Sequence, residues 1–253
     1  MRCKMKKIVK AELFKLKKSK AFLMILLLNL VSILYGAGVK FGWSFVTFKG
    51  QFDICRYVFS IWQLYFILGV PMIILMYAGS KILGDEIQKG QIILEVAPVA
   101  DRKKLICGKF ISMICMTLFY FITNIAFNVL AYLIFVKGTN YAVSGNLFTK
   151  DNFEILVQVL FGFLEVYFMV ISAMLVSIDK GAIIGTLSSM GLYVVTSLLT
   201  RAKTIDKFII GYFNLKSDNV INPETIMIQL VVFAVCISLI IYISVRKFRQ
   251  KDL

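Results

Sequence analysis

The 253 residues contain no histidine, which removes the commonest general base and metal ligand. The five cysteines (Cys3, Cys55, Cys107, Cys115 and Cys236) form no C-x-x-C pair and no zinc-ligand spacing. No G-x-x-x-x-G-K-[S/T] loop occurs and no acidic strand end stands ready for magnesium, so the chain has no means of its own to hydrolyse ATP. Two features remain that could do chemistry. One is Glu165 in "FGFLEVYFMV", the only acid or base in the core of an apolar stretch. An acid at mid-bilayer costs about 2.5–3.5 kcal/mol, so it must face protein or water. It either lines a cavity for cationic substrate, pairs with a partner subunit, or is protonated or hydrogen-bonded through Gln158 or Asn124. Asn124 and Asn128 are further polar candidates for a pathway, an intersubunit contact or interhelical glue, and Asn29 and Gln63 are of the same kind. The other feature is "GDEIQKGQIILEVAPVADRKKLICGK" (84–109), with acids first, isoleucines in the middle and bases last. That order suits docking rather than bond-making.

The elements that must position these residues are apolar and long. The chain is 59% hydrophobic and 17% charged, with a mean hydropathy of +0.83; a soluble domain carries about 25% charged residues. Six stretches, 21–39, 57–79, 110–135, 153–178, 181–199 and 226–245, approach the roughly 20 residues that a helix needs to cross the hydrocarbon. The expected fold class is an all-α membrane protein with six transmembrane helices in a single domain over 1–253. Asp179 and Lys180 separate the fourth and fifth spans, with Gly181 easing the turn. Pro71 sits inside the second span and predicts a kink there.

Charge sets the orientation. Of the 29 Lys and Arg, 20 fall in the N-terminal 20 residues, the 80–109 segment, the Asp179 turn and the tail after Val245; the opposite loops hold nine. The positive-inside rule therefore places both termini and the 80–109 segment in the cytoplasm. The same topology accounts for the net charge of +15 without nucleic acid. Residues 4–20, "KMKKIVKAELFKLKKSK", put Ile8, Val9, Leu13 and Leu16 at helical spacing among lysines. This predicts an interfacial helix with its apolar side toward acyl chains. The apolar patch "FIIGYFNL" in 200–225 predicts an outer segment that lies on the outer leaflet, dips into it, or lids an exit.

The order Glu86, Lys89-Gly90, Leu94, Pro98, Arg102, Gly108-Lys109 resembles the segment between the second and third helices of ABC-2-type permeases. Gln91 stands where that family commonly has threonine, and Glu95-Val96 where small residues or leucine are usual. "AELFKLKKSK" and the C-terminal "RKFRQKDL" resemble the family's termini. The resemblance implies a transmembrane subunit whose 80–108 segment is a coupling helix, with Glu86, Lys89, Gly90, Ile93, Leu94, Pro98 and Arg102 docking on an ATP-binding subunit. The N-terminal helix would pack alongside. ATP and Mg would be bound by two copies of that partner and none by this chain, and a second permease, the same chain or a homologue, would complete the usual twelve spans. The chain's Lys/Ile richness points to an AT-rich bacterial genome and hence to a bacterial plasma membrane. Small permeases of this kind resemble those exporting antimicrobial peptides or lantibiotics. A membrane sensor or assembly scaffold that docks a partner through the same loop is the alternative.

Overall fold

In a computed structural model, the structure describes residues 2–44, 46, 50–93, 101–143, 145, 150–202, 204–215 and 221–251. Helix α1 (Arg2–Lys17) turns at Ser19 into α2 (Lys20–Phe41). The Ser19 hydroxyl accepts from the Phe22 N–H and caps the new helix. Asp53 caps α3 (Ile54–Leu68) in the same way, through the Arg56 N–H at 2.8 Å.

The second span does not kink at Pro71. It breaks two residues earlier, at Gly69, whose φ of 66° ends α3 and redirects the chain by 59° into α4 (Val70–Gln88). Gly69 can adopt this left-handed conformation without steric cost. Pro71 then falls in the first turn of α4, where its missing N–H costs nothing. Within α4, Lys81–Asp85 forms a widened π turn, and the helix runs on well past Gly79.

Asp101 caps α5 (Arg102–Val136) by accepting from the N–H groups of Lys103 and Lys104. Helices α6 (Lys150–Lys180) and α7 (Ala182–Leu199) form a hairpin about Gly181, whose φ is 82°. A Cβ on Gly185 would lie 2.6 Å from the Ala173 carbonyl oxygen, and Ser189 donates to the Met169 carbonyl at 2.7 Å. The small residues of α7 therefore form a seam inside the chain. A short turn at Asp206–Phe208 leads to α8 (Tyr212–Leu215), and a capping box of Asn222 and Thr225 starts α9 (Pro223–Gln250).

Helices α2, α5, α6, α7 and α9 are each long and apolar enough to cross a membrane, and α3 with α4 passes the same test as a bent pair. Among the described residues there is no β-strand, only an isolated bridge between Phe52 and Ala142. This is an all-α, multi-pass membrane protein. Helix α6 is its axis: 72% of its apolar window is buried, against 28% for α7 and 11% for α9. Its own Met169 and Met174 and, around it, Met72, Met76, Met113 and Met116 are buried, flexible side chains that fill irregular gaps.

Both chain ends lie at one end of the bundle. Helix α1 packs beside the start of α5, where Gly108 meets Ile8. The last carbonyls of α9 accept from Arg102, and Lys247 reaches Asp179 at 2.6 Å. We call this the basic face.

Candidate functional site

At the basic face three elements meet around one lysine. Lys109, in the second turn of α5, is completely buried, as is almost all of Glu12 from α1 (2% exposed). Its Nζ donates to Glu12 Oε1 at 2.9 Å and to Glu86 Oε2 at the end of α4. Lys15, one turn beyond Glu12, closes the cluster, donating to Glu86 Oε1 at 2.8 Å and to Glu12 Oε1 at 3.1 Å. Two carboxylates and two ammonium groups thus join α1, α4 and α5.

The surrounding small residues let the helices come close enough for this. A Cβ on Gly108 would stand 2.6 Å from Ile8 Cγ2, so only glycine permits α1 to lie this near α5. A Cβ on Gly84 would meet Ser177 at 2.8 Å, so glycine also seats the widened turn of α4 on the end of α6. Burial raises the Glu12 carboxyl above the ordinary glutamate range, opposed by the Lys109 and Lys15 charges. Its second oxygen, Oε2, is buried without a hydrogen-bond partner among the described residues. The cluster is therefore a structural joint held under a desolvation penalty, and removing the Lys109 charge leaves two carboxylates to share Lys15.

The expected site residues divide around this joint. Glu86 is 13% exposed and spends both oxygens inside the protein, so it is not the outward-facing acid the loop reading expects. Ile82, Ile87 and Ile92 are buried as well, leaving Gln88, Lys89, Gln91 and Ile93 to face outward. Ile93 is 50% exposed. Gly90 provides the turn between Gln88 and Gln91 with a φ of 69°. Arg102 turns inward, its guanidinium donating to the carbonyls of Arg249 (3.2 Å) and Lys251 (2.8 Å) and so capping α9. Leu94 and Pro98 lie outside the described residues.

On α1, Ile8 and Leu16 are buried, Leu13 packs partly against the core, and Val9 is half-buried. The stripe expected to face acyl chains faces protein, chiefly α5. A helical apolar stripe looks the same to either apolar surroundings, so its pattern alone cannot distinguish them.

The mid-membrane polar residues are separate from the joint. Asn29 and Asn124 bond at 3.2 Å, Asn128 donates to Asn124 at 2.9 Å, and Asn29 reaches Thr123 at 2.8 Å. All three asparagines are fully buried in the α2–α5 seam, where they tie the two helices within one chain. Glu165 is buried at the middle of α6. The Asn214 amide from α8 lies 3.4 Å from its carboxyl group. In its better-satisfied orientation that amide donates to the Gln158 carbonyl and accepts from the Gly162 N–H, both at 3.0 Å. Phe213 packs against Phe161 in a tilted arrangement with ring centroids 4.6 Å apart. The segment read as an outer loop therefore inserts between α6 and α9 and covers Glu165.

Sequence reasoning missed Glu12, Lys15 and Lys109 as a unit. Two signals were present. Glu12 is the only acid before Asp53, in a segment otherwise rich in lysine, and Lys109 stands at the start of an apolar span where an unpaired cation would be costly.

Over residues 8–194, from α1 into α7, the sequence matches the ABC-2 family transporter protein profile. The chain belongs to the ABC-2 transporter family. No curated protein and no solved structure matches it. As an ABC-2 permease it is a membrane-spanning subunit of an ABC transporter, a kind of subunit that works with an ATP-binding partner. The joint lies within the matched range, as does the segment that resembles the family's coupling region.

Proposed function

We propose that this permease is the moving part of an ATP-driven exporter, and that the Lys109 cluster makes α1, the end of α4 and the start of α5 move as one block. The observation that carries this reading is Lys109 itself, fully buried and bonded to a carboxylate from each of the other two elements. Discrete charged contacts of this kind hold one relative geometry, so a push on the outside is transmitted as a rigid-body displacement. The push arrives on the outward-facing strip of Gln88, Lys89, Gln91 and Ile93, which docks on the ATP-binding subunit. Glu86 contributes from behind the strip by anchoring its base to Lys15 and Lys109, and Arg102 by tying the start of α5 to the end of α9.

In this reading the basic face is cytoplasmic, two ATP-binding subunits carry ATP and Mg, and a second permease completes the pathway. The substrate is an amphipathic or hydrophobic molecule such as an antimicrobial peptide, and the membrane is a bacterial plasma membrane. Glu165, covered by α8, lies on the route and is uncovered when the block moves.

Affinity purification of the chain in mild detergent, with mass spectrometry of what accompanies it, tests the reading. The expected result is a stoichiometric partner with a phosphate-binding loop, whose ATPase rate changes when Lys109 is replaced by Met. A partner without such a loop would replace the exporter with a docking scaffold.

A further inference from the structure

A second feature of the basic face plays no part in the joint. Between the first two turns of α5 and the last turns of α9 lies an open groove of about 660 Å³. Lys103, Arg246 and Arg249 line it, and no acidic side chain does. None of the three forms an ion pair with a described residue, although their neighbours do: Lys104 pairs with Asp101 and Lys247 with Asp179, each at 2.6 Å. The groove's inner wall is apolar, formed by Ile241, Tyr242 and Val245. These residues continue along α9 toward the membrane interior, and Tyr242 is 65% exposed beside them. The other large groove of this face, between α1–α2 and α4, mixes its lysines with Asp85 and Glu86. Those acids already engage Lys89 and Lys15.

Three cations held together with no counterion among the described residues repel one another, and an anion between them removes that cost. Guanidinium groups suit phosphate oxygens, which they grip through paired N–H donors. The apolar wall running away from the cations excludes a small soluble anion as the best fit and matches a headgroup that carries acyl chains. Tyrosine at headgroup depth fits the same occupant.

We propose that this groove binds the headgroup of an anionic phospholipid in the leaflet on the basic face, with the phosphate among Lys103, Arg246 and Arg249 and an acyl chain along Ile241, Tyr242 and Val245. Bound there, the lipid bridges α5 and α9 at the level where Arg102 already joins them, and it steadies the block without touching the Lys109 cluster.

The test is native mass spectrometry of the full chain in non-ionic detergent, with phosphatidylglycerol or phosphatidylcholine added. The intact protein retains phosphatidylglycerol selectively, and R246Q/R249Q lowers that retention roughly 10- to 30-fold, as expected for two charges near an anionic surface. Both arginines are exposed, so the variant folds; R246K/R249K keeps the charge and keeps most of the binding. K6Q/K7Q, which removes equal charge from exposed positions of α1, leaves retention unchanged. Equal losses in the two glutamine variants would overturn the site in favour of diffuse attraction. Equal retention of phosphatidylcholine would overturn headgroup recognition. Displacement of the lipid by millimolar inorganic phosphate would show a soluble-anion site instead.

Discussion

Replacing Lys109 with Met keeps the unbranched side chain as far as Cε and removes the ammonium group, leaving Glu12 and Glu86 to share Lys15. Glu12 is 2% exposed and cannot recover its hydration. Breaking a buried ion pair from one side costs about 3–5 kcal/mol, and at about 2–4 °C per kcal/mol for a chain of this size the melting temperature falls by about 6–20 °C. Glu12→Gln alone changes stability by less than about 1 kcal/mol, because the carboxylate's desolvation offsets its attraction and Lys109 retains Glu86. In the Glu12→Gln background, Lys109→Met then costs at least about 1 kcal/mol less than it does alone, since Lys15 suffices for Glu86 and the coupling energy of contacting groups is of this order. Thermal unfolding of the four proteins in one detergent closes the cycle. A Lys109→Met protein within about 1 kcal/mol of the parent, or an equal cost in both backgrounds, would refute the joint.

Other outcomes follow from single contacts. Gly108→Ala drives a methyl group into Ile8 and costs about 1–3 kcal/mol by overpacking; protease access to α1 reports it. Because burial raises the Glu12 carboxyl, the folded protein binds that proton more readily than the unfolded chain. The group's stabilising contribution is complete below the unfolded value and is lost as pH rises through the folded one. The parent should therefore lose stability relative to Glu12→Gln across that window in pH-dependent melts, and parallel curves would count against it. Asn214→Leu removes the amide packed against Glu165 and frees α8, so a cysteine introduced at exposed Phe208 should label faster from the side opposite the basic face. Gly185→Ala pushes a methyl group against the Ala173 carbonyl, which as backbone cannot yield cheaply, and should reduce the yield of folded protein more than Gly191→Ala, where the space is open.

The spans were legible in the sequence because the hydrocarbon demands long apolar runs, and these survive any tertiary arrangement. Proline as the breaker puts the bend two residues late, because Gly69 makes the break and Pro71 merely starts the next helix. The coupling segment was recognisable from its residue order, but the directions of its side chains were not. Glu86 looks like a surface acid until Lys109, 23 residues on, and Lys15, 71 residues back, are brought beside it. Glu12 meets Lys109 across 97 residues, and no local periodicity encodes that meeting. Glu165 was legible as a residue needing a partner. That the partner would come from α8 depends on the outer segment folding inward, which its apolar content permitted without specifying a register.

The most direct test of coupling through the basic face places a photo-crosslinking amino acid at Ile93, on the outward strip, and at Leu23, an exposed apolar position on the first span. Position 93 should cross-link to a co-purifying ATP-binding subunit, with a yield that changes when ATP is trapped there, and Lys109→Met should abolish this nucleotide dependence. Position 23 should give no such product. An ATP-binding subunit that co-purifies yet never cross-links at position 93, or does so with the same yield in all nucleotide states, would contradict it.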